Sequence, residues 1–119
     1  MSRILINRES KAVVVARLLL AETTPARMRG LLGRASLPGD TGLLIRPCGG
    51  IHMWFMRFAI DAAFLAPDLT VLKVVRGLRP WQLAFAPRGT HCVLETAEGG
   101  LGGTVAGDRL AEMRPGPEA

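Results

Sequence analysis

The apolar residues of this chain fall into short runs, each cut off by Gly, Pro or a polar turn. Ile4–Ile6, Val13–Val15, Leu43–Ile45, Ile60–Leu65, Thr70–Val75 and His91–Glu95 are runs of strand length, too short for stable helices. Strands so short and so evenly spaced favour a small barrel or a strongly curled sheet over a doubly wound parallel one. The expected fold is therefore α+β and mainly β. It should have about seven short strands in a curled or barrel-like sheet, with one short helix over residues 25–32.

The order of elements follows from the breakers. Asn7–Lys11 is a polar turn between Ile4–Ile6 and Val13–Val15, which predicts an opening hairpin whose second strand continues through Leu18–Leu20. Thr24 is an N-cap, Pro25 suits a first helical turn and Gly33 a stop, with Met28, Leu31 and Leu32 on one face. Ala66–Leu69 turns Ile60–Leu65 into Thr70–Val75, a second hairpin. Pro80 and Pro87 predict an irregular stretch over 78–87, and the glycines of 99–103 a loose one. A closing strand is expected over Arg109–Met113. Residues 1–114 read as one domain and 115–119 as a disordered tail.

With 49% hydrophobic and 21% charged residues the 119-residue chain can bury a core of its own. The net charge of +5 is scattered rather than blocked, and no nucleic-acid-binding motif accompanies it, which argues against a nucleic-acid surface. Two cysteines, Cys48 and Cys92, are too few for a disulfide scaffold and read as reduced thiols. Charges interrupt Met1–Glu9 before any apolar core develops, so it does not read as an export signal. The longest oily run, Ala12–Ala21, is broken by Arg17 and too short to span a bilayer. A soluble, cytoplasmic protein is expected.

Rare residues gather in one place. The stretch 51–65 holds one of the two His, one of the two Trp and three of the four Phe. His52, Arg57 and Asp61 stand there in an otherwise apolar run, where each needs a partner once buried. Cys48, His52, Trp54 and Met56 share one face if the segment is extended. Cys48, His52 and Met56, with His91 approaching from a neighbouring strand, are soft or imidazole donors of the kind a copper-type site uses. Cys48 with His52 or His91 and Asp61 supplies the residue types of a thiol enzyme, although no helix N-terminus lowers the thiol pKa. Arg57 and Asp61 suit a fork-type ion pair. Trp81, after Pro80, suits a half-exposed position from which it lines a groove with Trp54.

Arg27-Met28-Arg29-Gly30-Leu31-Leu32-Gly33-Arg34, Leu37-Pro38 and Gly42-Leu43-Leu44-Ile45 together resemble the opening of the DUF192 (UPF0127) family. The resemblance continues through His52-Met53-Trp54-Phe55-Met56-Arg57, Ile60-Asp61 and Phe64-Leu65, and closes with Val93-Leu94-Glu95 and Gly107-Asp108-Arg109-Leu110. It covers about residues 23–111 and implies a compact, β-rich α+β domain. It supplies no established activity. Ala59 stands where many members carry Pro, and Gly99–Gly103 where members have a helix.

Together these features favour a non-enzymatic module that binds a small ligand or a protein segment and needs no cofactor. Its cleft would be lined by His52, Trp54, Met56, Arg57, Asp61 and Trp81. The alternatives are a metal- or thiol-dependent site on Cys48, His52, Met56 and His91 and, more weakly, a basic nucleic-acid-associated protein. The oligomeric state is left open.

Overall fold

Alternation and its absence set the strands apart. β3 (Thr41–Ile45) and β5 (Ile60–Leu65) are buried at every position, as largely apolar strands are when both sheet faces are covered, with Thr41 and Asp61 as their buried polar residues. β2 (Val13–Ala21) instead buries every third residue or so and leaves Val13 and Leu19 to solvent. A computed structural model describes residues 3–23, 36–48, 50–52 and 58–114, with only the backbone described for 50–52.

The remaining strands are β1 (Arg3–Asn7), β4 (Gly50–His52), β6 (Val71–Leu78), β7 (Leu83–Phe85), β8 (Cys92–Ala97) and β9 (Leu110–Met113). Seven of them form one sheet in the order β6-β5-β8-β3-β2-β1-β9, and β4 pairs with β7 in a separate ribbon. Among the described residues only the β2–β3 pair is parallel. The sheet curls until its edges meet at one end. Thr70 bridges Arg109, the Val71 N–H donates to the Asp108 carbonyl at 2.8 Å, and the Leu110 N–H to that of Leu69 at 3.1 Å. The result is a half-barrel.

Curling divides the core in two. Inside the barrel, Leu5, Val15, Leu18, Leu44, Leu65, Leu94 and Leu110 pack from six strands. On the outer face of β3, β5 and β8 a second layer holds Leu43, Ile45, Ala62, Phe64 and Val93, joined by Leu37, Leu78 and Ala84 of the ribbon. At Gly42 the walls come close: a Cβ there would lie 3.0 Å from a Val15 methyl and 3.1 Å from a Leu94 methyl.

The hairpins expected at Ile4–Val15 and Ile60–Val75 are present, as is the closing strand. The helix expected over 25–32 lies outside the described residues, and no helix occurs among those described. One expectation is corrected. The stretch 78–87 is not irregular throughout, because Leu83–Phe85 forms β7 against β4. A three-residue strand whose outward side chains are themselves apolar has no polar alternation to reveal it. Residues 98–103 form turns rather than a helix.

Candidate functional site

The ribbon displays apolar side chains instead of hiding them. Trp81, Leu83 and Phe85 are exposed to 64%, 46% and 73%, while Ala84 between them turns inward. The spacing of two within β7 puts Leu83 and Phe85 on one side of the strand, roughly 7 Å apart, and Trp81 precedes them in the turn. The turn before β7 is fixed from both ends: Gln82 N–H donates to the Arg79 carbonyl at 3.2 Å, and Arg79 N–H to Gln82 Oε1 at 2.6 Å. Trp81 sits in that turn at φ 73°, a left-handed conformation that costs a non-glycine residue roughly 1–2 kcal/mol. Behind the ribbon, Lys73 Nζ donates to the Phe85 carbonyl at 3.1 Å and lies 5.8 Å from the Phe64 ring centroid.

Asp61 points elsewhere. Its side chain is buried at the end of the barrel, on the opposite face of β5 from Ile60 and Ala62. Its two carboxylate oxygens accept the N–H groups of Gly77 and Gly99, each at 2.9 Å, and the Arg76 guanidinium stands 3.6 Å away. These partners tie β5 to the end of β6 and to the turn after β8. Arg57, the partner expected from the sequence, lies outside the described residues, as do Trp54 and Met56. The side chain of His52 is likewise undescribed.

Of the four candidate metal donors, two meet through the backbone: the Cys48 N–H donates to the His91 carbonyl at 2.7 Å. Among the described residues no three of His, Cys, Asp and Glu gather closely enough to hold a metal ion. The cysteines are not bridged. Cys48 is half-buried against the outer layer, whereas Cys92 lies inside the barrel, where burial pushes its thiol up to about 11.

Sequence reasoning missed Leu83 and Phe85 of the exposed surface, and it missed a buried carboxyl. Glu95 is 6% exposed on the outer face of β8, flanked by Leu43 of β3 and Ala62 of β5. Among the described residues its carboxyl has no hydrogen-bond or ion-pair partner, and burial raises its pKa to about 7. A Glu flanked by Val93, Leu94 and Thr96 in a strand buried across five positions was the available signal.

A family model now meets this geometry: DUF192, described as an uncharacterised ACR, matches residues 5–111. The chain belongs to the DUF192 family. No curated protein matches it. Among solved structures, a DUF192 half-barrel of this kind is similar to a "putative transcription regulator" from Sinorhizobium meliloti 1021. The two share 24% identity over 93% of this chain and 92% of that one, with a TM-score of 0.78. It is also similar to a protein of unknown function from Novosphingobium aromaticivorans DSM 12444, at 22% identity over 93% of this chain and 84% of that one, TM-score 0.77. At such identities the likeness is one of fold. Within the DUF192 signature, Glu95 ends Val93-Leu94-Glu95 and Asp61 follows Ile60, so both buried carboxyls fall inside the family pattern.

Proposed function

We propose that this DUF192 domain is a non-enzymatic binding module that captures an extended, apolar protein segment along the outer side of β7. The observation that carries the reading is the exposure of Leu83 and Phe85 on one side of β7, with exposed Trp81 in the turn before it. Two largely exposed aromatic rings and a leucine present roughly 300–400 Å² of apolar surface in one place, the size at which an exposed patch acts as an interaction site. Alternate side chains of an extended partner match Leu83 and Phe85 in spacing. His52 ends β4, and Trp54, Met56 and Arg57, which lie outside the described residues, follow it directly in the sequence. Asp61 belongs to the same stretch and serves by holding the barrel end.

A protein partner is preferred over nucleic acid because no nucleic-acid-binding motif accompanies the net charge of +5. Selection of a random-peptide display library on the purified domain tests the reading. Extended sequences with apolar residues at alternate positions should enrich on the native protein and not on a folded Leu83→Ser/Phe85→Ser variant. Equal enrichment on both, or none on either, overturns it.

A second reading, a soft-metal site on Cys48, His52, Met56 and His91, rests on the donor types in the sequence, the structure joining Cys48 and His91 through a backbone hydrogen bond alone. Elemental analysis with a thermal-shift metal series tests it. A stoichiometric metal lost in Cys48→Ala supports the site; no metal and no shift removes it.

A further inference from the structure

Among the described residues the buried polar or charged side chains are Thr41, Asp61, Glu95, Thr96 and Thr104. The Thr41 hydroxyl donates to Asp40 Oδ1 at 3.0 Å and that of Thr96 to the Ala97 carbonyl at 2.9 Å, while Asp61 accepts two backbone N–H groups. Glu95 and Thr104 have no such partner. Glu95 is flanked by Leu43 and Ala62 in the sheet, whereas Thr104, only 5% exposed, lines a cleft of about 450 Å³. A cleft of that volume holds a small molecule. Buried hydroxyls are rarely left unbonded, and beside a cleft the partner left to one is whatever occupies the cleft.

The cleft runs between the turn after β1 and the loop after β8, and internal bonds hold both walls. In the turn, Asn7 Oδ1 accepts the Glu9 and Ser10 N–H groups at 2.9 and 3.0 Å, and Ser10 Oγ accepts the Ala12 N–H at 3.2 Å. Those bonds use acceptors, so the Asn7 amide NH₂ group and the Ser10 O–H are left to donate. Across the cleft, the N–H groups of Gly100, Gly102 and Thr104 donate to the carbonyls three residues back. The Leu101 and Gly103 N–H groups between them have no partner among the described residues. Leu101 packs into the barrel interior and anchors the loop. Gly103 is bare: a Cβ there would meet nothing within 4 Å, so a ligand can approach the backbone. Asp108 Oδ2 accepts the Val105 N–H at 3.0 Å, which leaves Oδ1 as an acceptor.

We infer that this cleft is a binding site for a neutral, polyhydroxylated small molecule the size of one or two sugar rings. Its described lining holds no Lys, Arg or His to neutralise an anion. Its single carboxylate is already engaged, and one such group falls short of the oxygen shell a calcium ion needs. The lining offers instead a mixture of hydroxyl and N–H donors with carboxylate and carbonyl acceptors. A sugar hydroxyl donates and accepts at once, which suits that mixture. Val13, which is exposed, borders the same cleft and gives an apolar contact for the C–H face of a ring. The site is separate from the β7 surface and does not depend on it.

Amide NMR spectra of the protein titrated with a panel of neutral mono- and disaccharides test the assignment, with inorganic phosphate and calcium as charged controls. At least one sugar should shift the Leu101, Gly103 and Thr104 amides saturably, and neither control should. Thr104→Val removes a hydroxyl that has no partner in the protein, so the fold should hold and sugar affinity should fall about tenfold, as for one lost hydrogen bond. Gly103→Leu fills the cleft from a position with open space and should abolish the shifts; it decides should Thr104→Val fail to fold. The assignment is overturned by no saturable shift with any sugar, by saturable phosphate or calcium binding at these amides, or by a Thr104→Val affinity within about threefold of native. Peptide selection reads a different surface, so failure of either proposal leaves the other standing.

Discussion

Asp61 and Gly99, 38 residues apart, are joined by a 2.9 Å hydrogen bond from the Gly99 N–H to Asp61 Oδ2, and the other oxygen takes the Gly77 N–H. One carboxylate thus holds the end of β6, the turn after β8 and one arginine at the barrel end. Asp61→Ala would leave two backbone donors and Arg76 without their acceptor. A loss of about 2–4 kcal/mol in urea-unfolding stability is expected, with Asp61→Asn losing less because one acceptor oxygen remains.

Glu112 of β9 ties down the opposite edge. Arg46 reaches it through two nitrogens at 2.6 and 3.2 Å, and Arg3 through one at 2.8 Å. Burial pushes the Glu112 carboxyl up, but the hydrogen bonds from the two arginines outweigh it and hold the carboxyl below its usual value. A lowered native pKa contributes stability that is present above the unfolded value of 4.5 and is lost as pH falls through the native one. Thermal melts below about pH 4.5 should show the native protein losing stability more steeply than Glu112→Gln, which has no such proton to take up.

Gly42 faces the barrel interior where Val15 and Leu94 leave a Cβ only 3.0–3.1 Å. Gly42→Ala should therefore overpack the core and cost about 1–3 kcal/mol, measured by chemical denaturation. Ala in place of Gly103, where a Cβ meets nothing within 4 Å, is the matched control and should change stability little.

The thiols should differ sharply toward alkylating agents. Cys92 is fully buried and its thiol is pushed up to about 11, so at pH 8 it should label only on unfolding. Cys48 is half-buried and should label in the native protein. Mass spectrometry after a short iodoacetamide pulse checks both. Prompt labelling of Cys92 would contradict its place in the barrel.

Much of the strand pattern was legible because it is local. Breakers at Asn7–Lys11 and Ala66–Leu69 fix two hairpins whatever the rest of the chain does, and β5, apolar at every position but Asp61, declares burial on both faces. The ribbon was not legible. β7 exists because β4 offers it a partner, and three residues carry too little periodicity to show a strand alone. The candidate site divides in the same way: Trp81 stood out as a rare residue after a proline, while Leu83 and Phe85 became a surface only once β7 turned both to one side.

The sequence by itself determined short strands, a curled sheet and the DUF192 signature, since spacing, turn chemistry and composition are properties of neighbours along the chain. Tertiary structure decided the partners of the polar residues. Asp61 found Arg76, Gly77 and Gly99, and Glu95 found a position between Leu43 and Ala62 with no described partner. Both outcomes depend on which strands lie side by side. Whether a buried charge is satisfied is set by groups tens of residues away, brought within 3–4 Å only when the sheet curls.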